Sequence, residues 1–145
     1  MLVRCLYASR AVKPSGPGVL DGILEQSRRN NPARGITGLL CSSGGIYVQL
    51  LEGGRNQVSG LFSAISRDAR HEGVTLLAYQ EIAERHFGCW SMGQVNTETV
   101  NSAVLLKYSE KAELDPFSAT GEATLALMLE LSASGSIVSR SSLKS

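Results

Sequence analysis

No CxxC pair occurs in this chain, and its three cysteines, Cys5, Cys41 and Cys89, are odd in number and far apart. That spacing argues against a zinc site or a redox dithiol, so no metal is expected. Each cysteine falls in a strand-like segment and reads as a buried thiol in a reducing cytoplasm. Charge of one sign is missing too. The formal net charge of +1 offers no electrostatic footprint for nucleic acid or for a membrane surface. No apolar run approaches the roughly 20 residues that cross a bilayer. Met1-Leu2-Val3-Arg4 leads into a strand rather than a signal peptide, and a cytoplasmic protein is expected. No glycine-rich phosphate loop precedes a helix, and His71 and His86 have no evident nucleophile beside them. The chain is therefore not expected to be an enzyme.

What is present fits one domain with a modest extension. With 145 residues, 43% hydrophobic and 19% charged, the chain can bury an ordinary core. Leu2 to Ala8 reads as a first strand, followed by a loop marked by Pro14, Gly16, Pro17 and Gly18. Val19, Leu20, Ile23, Leu24 and Ser27 recur at helical spacing, and Asn31-Pro32 is expected to close that helix, because the residue before proline avoids the α region. Gly35 to Cys41 reads as a second strand, turned through Ser42-Ser43-Gly44-Gly45 into a third. Val58, Leu61, Phe62 and Ile65 form the stripe of an amphipathic helix over Asn56 to Arg67. Strands are expected again at Val74 to Ala83 and Cys89 to Val95.

This order predicts an α+β fold, a ferredoxin-like βαββαββ sheet with both helices on one face. C-terminal helices would cover the other: a short one around Val100, Ala103 and Val104, and a longer one over Ser118 to Leu131 with Ser118 near its N-cap. The longer helix keeps only Glu122, Thr124 and Glu130 polar among Ala123, Leu125, Ala126, Leu127, Met128, Leu129 and Leu131, so it covers the sheet or forms an interface. The expected division is residues 1–96 as the core domain, 97–133 as a helical extension and 134–145 as a serine-rich flexible tail.

The informative residue is Gln49, inside the apolar run Ile46-Tyr47-Val48-Gln49-Leu50-Leu51. A neutral amide in a buried strand must find partners, and with an acceptor on one arm and donors on the other it can hold a molecule in two senses. Taken alone, Tyr7 is more often a core aromatic and Asn31 a helix end before proline. In order and spacing, however, Leu6-Tyr7-Ala8-Ser9, Asn31 before Gly35-Ile36-Thr37-Gly38-Leu39-Leu40, Gln49-Leu50-Leu51-Glu52-Gly53, Asp68-Ala69-Arg70-His71 and Trp90-Ser91-Met92 resemble the BLUF family of blue-light sensors that use FAD. The tail resembles short members of the PixD type, which have no fused output domain.

The resemblance implies a non-covalently bound FAD, with FMN or riboflavin as possible substitutes, lying between the two helices. Tyr7 would donate an electron to the excited flavin and Gln49 would relay the proton, ending tautomerised or rotated in a red-shifted signalling state. Asn31 would anchor the ring's polar edge and Ile23 and Ile65 would sandwich it; Asn30 and Leu51 complete the expected contacts. Asp68, Arg70 and His71 match the ribityl and phosphate end. Trp90 and Met92 would exchange places near Gln49 in response to light. Ala64 falls where many relatives carry a basic residue, a contact that Arg29 or Asn30 could replace. As partners the resemblance implies a second copy of the chain, in a homo-oligomer, and a separate effector, either a response-regulator-like protein or a cyclic-nucleotide enzyme. The competing readings are a small ferredoxin-like hydrolase, or a module that binds a colourless metabolite.

Overall fold

The structure, a computed structural model, describes residues 1–12, 17–88 and 91–133, with the backbone alone for 17–21. The elements run β1 (Leu2–Ala11), α1 (Pro17–Arg34), β2 (Thr37–Ser43), β3 (Ile46–Gly54), α2 (Arg55–Ser66), β4 (His71–Ile82) and β5 (Gly93–Asn96). One 3-10 turn (Thr97–Thr99), α3 (Ser102–Tyr108) and α4 (Gly121–Ala133) follow. This is the α+β, βαββαββ arrangement that the hydrophobic periodicity predicts. Cys89, Trp90, the expected loop residues Pro14 and Gly16, and the 134–145 tail lie outside the described residues. Among those described, no helix is long and apolar enough to cross a membrane.

The five strands lie in the order β4-β1-β3-β2-β5, antiparallel except for the parallel β2–β5 pair. Alternation along β3 divides the core into two layers. Tyr47 and Leu51 join Val3, Cys5, Tyr7, Leu24 and Val58 on the face carrying α1 and α2. Val48 and Leu50 join Leu6, Leu39, Val95, Leu105, Met128 and Leu131 on the face carrying α3 and α4. Cys5 and Cys41 are buried free thiols, pushed up to about 12 by burial, and so are unionised.

Several boundaries depart from expectation, each for a local reason. α1 does not close at Asn31-Pro32 but runs to Arg34. The Ile36 amide donates to Asn31 O and the Gly35 amide to Pro32 O, with Gly35 at φ 66°, so a glycine C-cap ends the helix and keeps Asn31 inside its last turn. The β2–β3 turn places Gly44 and Gly45 both at positive φ, the geometry that a two-residue hairpin loop demands. β1 continues to Ala11 and β4 begins at His71 because Arg10 and Ala11 pair with Glu72 and His71 beyond a bulge at Gly73, φ 60°. β5 is shorter than expected. Instead of serving a strand ladder, the Ser91 and Met92 carbonyls accept hydrogen bonds from Asn31 Nδ2 and Arg28 Nε. The cap of α4 is Thr120 rather than Ser118, its hydroxyl accepting from the Ala123 amide at 3.0 Å.

Candidate functional site

Between α1 and α2, above the middle of the sheet, lies a cleft with a cavity volume of about 190 Å³, open to solvent. Its α1 wall is one helical stripe: Ile23, Gln26, Ser27, Asn30, Asn31 and Arg34. Leu61, Ala64 and Ile65 form the α2 wall, Tyr7 and Gln49 the floor, and Asp68, Arg70 and His71 one end. Of the residues singled out in the sequence, Tyr7, Ile23, Asn30, Asn31, Gln49, Ile65, Asp68, Arg70 and His71 therefore meet in one place. Leu51 shares the helix-side core but does not line the cleft. Met92 lies behind the floor, in contact with Gln49. Arg29 does not line the cleft and pairs with Glu25 one helical turn away, whereas Arg34, together with Asn30, does line it.

Tyr7 and Gln49 are register partners on β1 and β3 and are 2% exposed each. The Tyr7 hydroxyl donates to Gln49 Oε1, and Gln49 Nε2 reaches Met92 Sδ at 3.4 Å. Burial pushes the Tyr7 phenol well above its usual range, with small additions from Cys5 and Asp68, so it holds its proton firmly. Its ring meets Phe62 edge-on at 5.6 Å. Asn31, 1% exposed, donates to Ser91 O at 3.0 Å, which fixes its amide at the cleft wall.

At the cleft's end the Arg70 guanidinium grips both Asp68 oxygens, at 2.6 to 3.1 Å, and bridges to Gln26 Oε1 at 2.8 Å, tying the start of β4 to α1. Those bonds hold the Asp68 carboxyl below its ordinary value and raise Arg70. His71 Nδ1 lies 3.0 Å from Ser9 Oγ, and burial lowers its pKa. Of the cleft lining missed by sequence reasoning, Gln26, Ser27 and Arg34 were signalled by the spacing of the Ile23 and Asn31 stripe, whose mixed polarity hid them, and Leu61 by the α2 stripe that also carries Ile65.

These residues suit a planar, partly polar ring system. Apolar side chains from two helices face one another across the cleft, and two almost wholly buried amides, Asn31 and Gln49, stand at its wall and floor. Amides held in place at the cleft by Ser91, Tyr7 and Met92 present oriented donors and acceptors, which a ligand with polar groups along one edge requires.

Known proteins share the sequence pattern and the fold. Residues 2–93 match the family described as sensors of blue light using FAD. The chain is 32% identical over 98 residues, 67% of its length, to the photoactivated adenylate cyclase subunit beta of Euglena gracilis, and spans only 11% of that protein. Its structure is similar to the photo-activated state of BlsA, at 29% identity, with a TM-score of 0.82 and coverage of 97% of this chain and 99% of that one. It is similar also to the dark state of BlrB, at 28% identity, with a TM-score of 0.77 and coverage of 92% and 96%. The matched family is one of sensors, and a match confined to 11% of the cyclase lends this chain no cyclase chemistry. A floor of Tyr7 and Gln49, a wall bearing Asn31 and a family match over 2–93 lead to one assignment: the chain belongs to the BLUF family, sensors of blue light using FAD.

Proposed function

We propose that this chain is a light-driven switch in which FAD occupies the cleft between α1 and α2, and in which the Tyr7–Gln49–Met92 contact is the moving part. The observation that carries this reading is that chain of contacts: a buried phenol and an amide on the cleft floor, in series with a thioether behind it. Ile23 and Ile65 would hold the ring between them, Asn31 and Gln49 would bond its polar edge, and the Asp68–Arg70–His71 end would lie toward the ribityl chain and phosphates. FAD, when bound, supplies blue absorption and an excited ring that accepts an electron.

Tyr7 would be the donor of that electron, and its phenolic proton would pass along the existing hydrogen bond to Gln49 Oε1. On return of both to Tyr7, the Gln49 amide would be left tautomerised or rotated. It then presents a donor where it previously presented an acceptor, and the extra hydrogen bond shifts absorption to the red. Met92 makes the two orientations unequal. Its sulfur is a weak acceptor and suits Nε2; a rotated amide would set Oε1 against the sulfur, two acceptors in contact, so Met92 must give way. Met92 immediately precedes β5, whose Val95 pairs with Cys41, and the Cys41 thiol lies 3.3 Å from Met128 Sδ on α4. Displacement is thereby delivered to α3 and α4, the 97–133 extension, which acts as an interface to a second copy or to a separate effector, such as a response-regulator-like protein or a cyclic-nucleotide enzyme. In this reading the light signal changes association rather than catalysing a reaction.

The test is absorbance. The purified protein should be yellow, and blue illumination should produce a reversible red shift without a covalent adduct. A colourless protein that takes up no added FAD, or a bleached adduct spectrum, would refute the reading.

A further inference from the structure

We infer that Glu52, at the end of the strand that carries Gln49, is a positioning residue for the switch: its buried carboxylate pins the β4–β5 connector and so holds Met92 in its contact with Gln49. The inference rests on the proposed switch and adds to it a fixed point remote from the cleft. Glu52 lies on the α3–α4 face of β3, is 0% exposed and does not line the cleft. Its partner across the sheet is Arg4, whose Nε and Nη2 both lie 2.8 Å from Oε2.

Among the described residues, the carboxylate's other partners are on the connector. The His86 and Phe87 amides donate to Oε1 at 3.0 and 2.7 Å. Arg85, on the same segment, donates to Thr37 Oγ1 at 2.9 Å and to the Glu52 carbonyl at 3.2 Å. The Phe87 side chain, 0% exposed, is sunk in the α3–α4-side core with Leu39, Leu50 and Val95. The connector must cross the ends of β1, β3 and β2 to pass from one edge of the sheet to the other, yet it is tied to both β2 and β3 on the way. A buried carboxylate satisfied by a guanidinium and two backbone amides is a rigid anchor, because freeing either amide leaves the charge short of a partner in a dry interior.

Phe87 stands only five residues before Met92. With His86 and Phe87 fixed, Met92 returns to one place on Gln49 after each excursion, and its displacement is directed onward into β5 rather than absorbed upstream. Loosening the anchor weakens the force that restores the dark contact.

Glu52→Gln in the full-length, flavin-loaded protein tests this, with two readouts. Amide exchange in darkness should quicken at His86, Phe87, Ser91 and Met92. After a blue pulse the red shift should persist in size while dark recovery slows several-fold. Because Glu52→Gln leaves Arg4 facing a neutral amide and can cost the fold, Arg85→Ala is the second variant, expected to act in the same direction and less strongly. Leu6→Ala is the control for general destabilisation: it should lower the melting temperature without slowing recovery. Unchanged or faster recovery in both variants, or unchanged exchange at Ser91 and Met92 with the connector amides freed, overturns the inference. A wild-type protein with no light-induced shift would sink the proposed switch instead, and dark exchange would still decide whether Glu52 holds Met92.

Discussion

The Tyr7 hydroxyl donates to the amide oxygen of Gln49 from the residue directly opposite it on the neighbouring antiparallel strand. The two side chains share a face because register partners do, and the sheet at that point is sealed from solvent except through the cleft between α1 and α2.

Tyr7→Phe keeps the ring and its edge contact with Phe62 but removes the donor to Gln49. Leaving a buried acceptor unpaired should cost about 1 to 3 kcal/mol, read by urea denaturation. The protein should still bind flavin, and difference spectroscopy under blue light should show no red shift; a retained shift would contradict the assigned role.

Gln49→Leu removes the element with two orientations. Flavin should remain bound, since the apolar walls are untouched, and the light-induced shift should vanish. Met92→Leu leaves Gln49 but takes away the sulfur that accepts from Nε2. There the shift should survive while the dark-recovery rate changes, measured by following absorbance after a flash.

Ile65→Trp should fill the cleft from the α2 wall. Overpacking of about 1 to 3 kcal/mol directed at the ligand corresponds to roughly five- to 150-fold weaker flavin binding. A pale protein with native far-UV dichroism is expected, and full flavin occupancy would show that the ring does not lie between the helices.

His71 carries a pH signature. Its native pKa is lowered by burial from an ordinary 6.5, with Asp68 opposing and Arg70 adding to the shift. The unfolded chain therefore takes up this proton first as the medium acidifies. Stability from the neutral ring is complete above pH 6.5 and declines below it until the native ring also protonates. Asp68, lowered from 3.8, contributes its own loss only below that value. His71→Gln should flatten the fall in urea midpoint just below pH 6.5 while leaving the steeper loss at lower pH.

Gly121→Ala tests the docking of α4. A methyl there would lie 2.3 Å from the Leu77 carbonyl oxygen, a backbone atom of β4 that cannot swing aside. Destabilisation of about 1 to 3 kcal/mol is expected in thermal or urea melts. Amide exchange should quicken along α4 while the flavin spectrum is unaltered.

Much of this architecture was legible from local pattern. Alternation along Ile46–Leu51, the 58/61/62/65 stripe and the paired glycines at 44 and 45 specify strand, amphipathic helix and hairpin, because each is decided by neighbours within a few residues. Boundaries failed where a distant group took over a backbone atom. Asn31 and Arg28 claim the carbonyls that would have lengthened β5, and β1 lends pairing that draws His71 into β4. Trp90, singled out beside Met92, lies outside the described residues.

The sequence by itself determined the order of elements, the two faces of β3 and the identity of the amide and phenol, since side-chain period and residue chemistry need no third dimension. Only the tertiary structure decided that Gln49 lies between Tyr7 and Met92, that Arg34 and Gln26 share the cleft, and that Glu52 holds a segment more than thirty residues later in the chain. Those relationships depend on strand register and on which loop a buried charge can reach, quantities fixed by packing the whole sheet at once rather than by any stretch of residues within it.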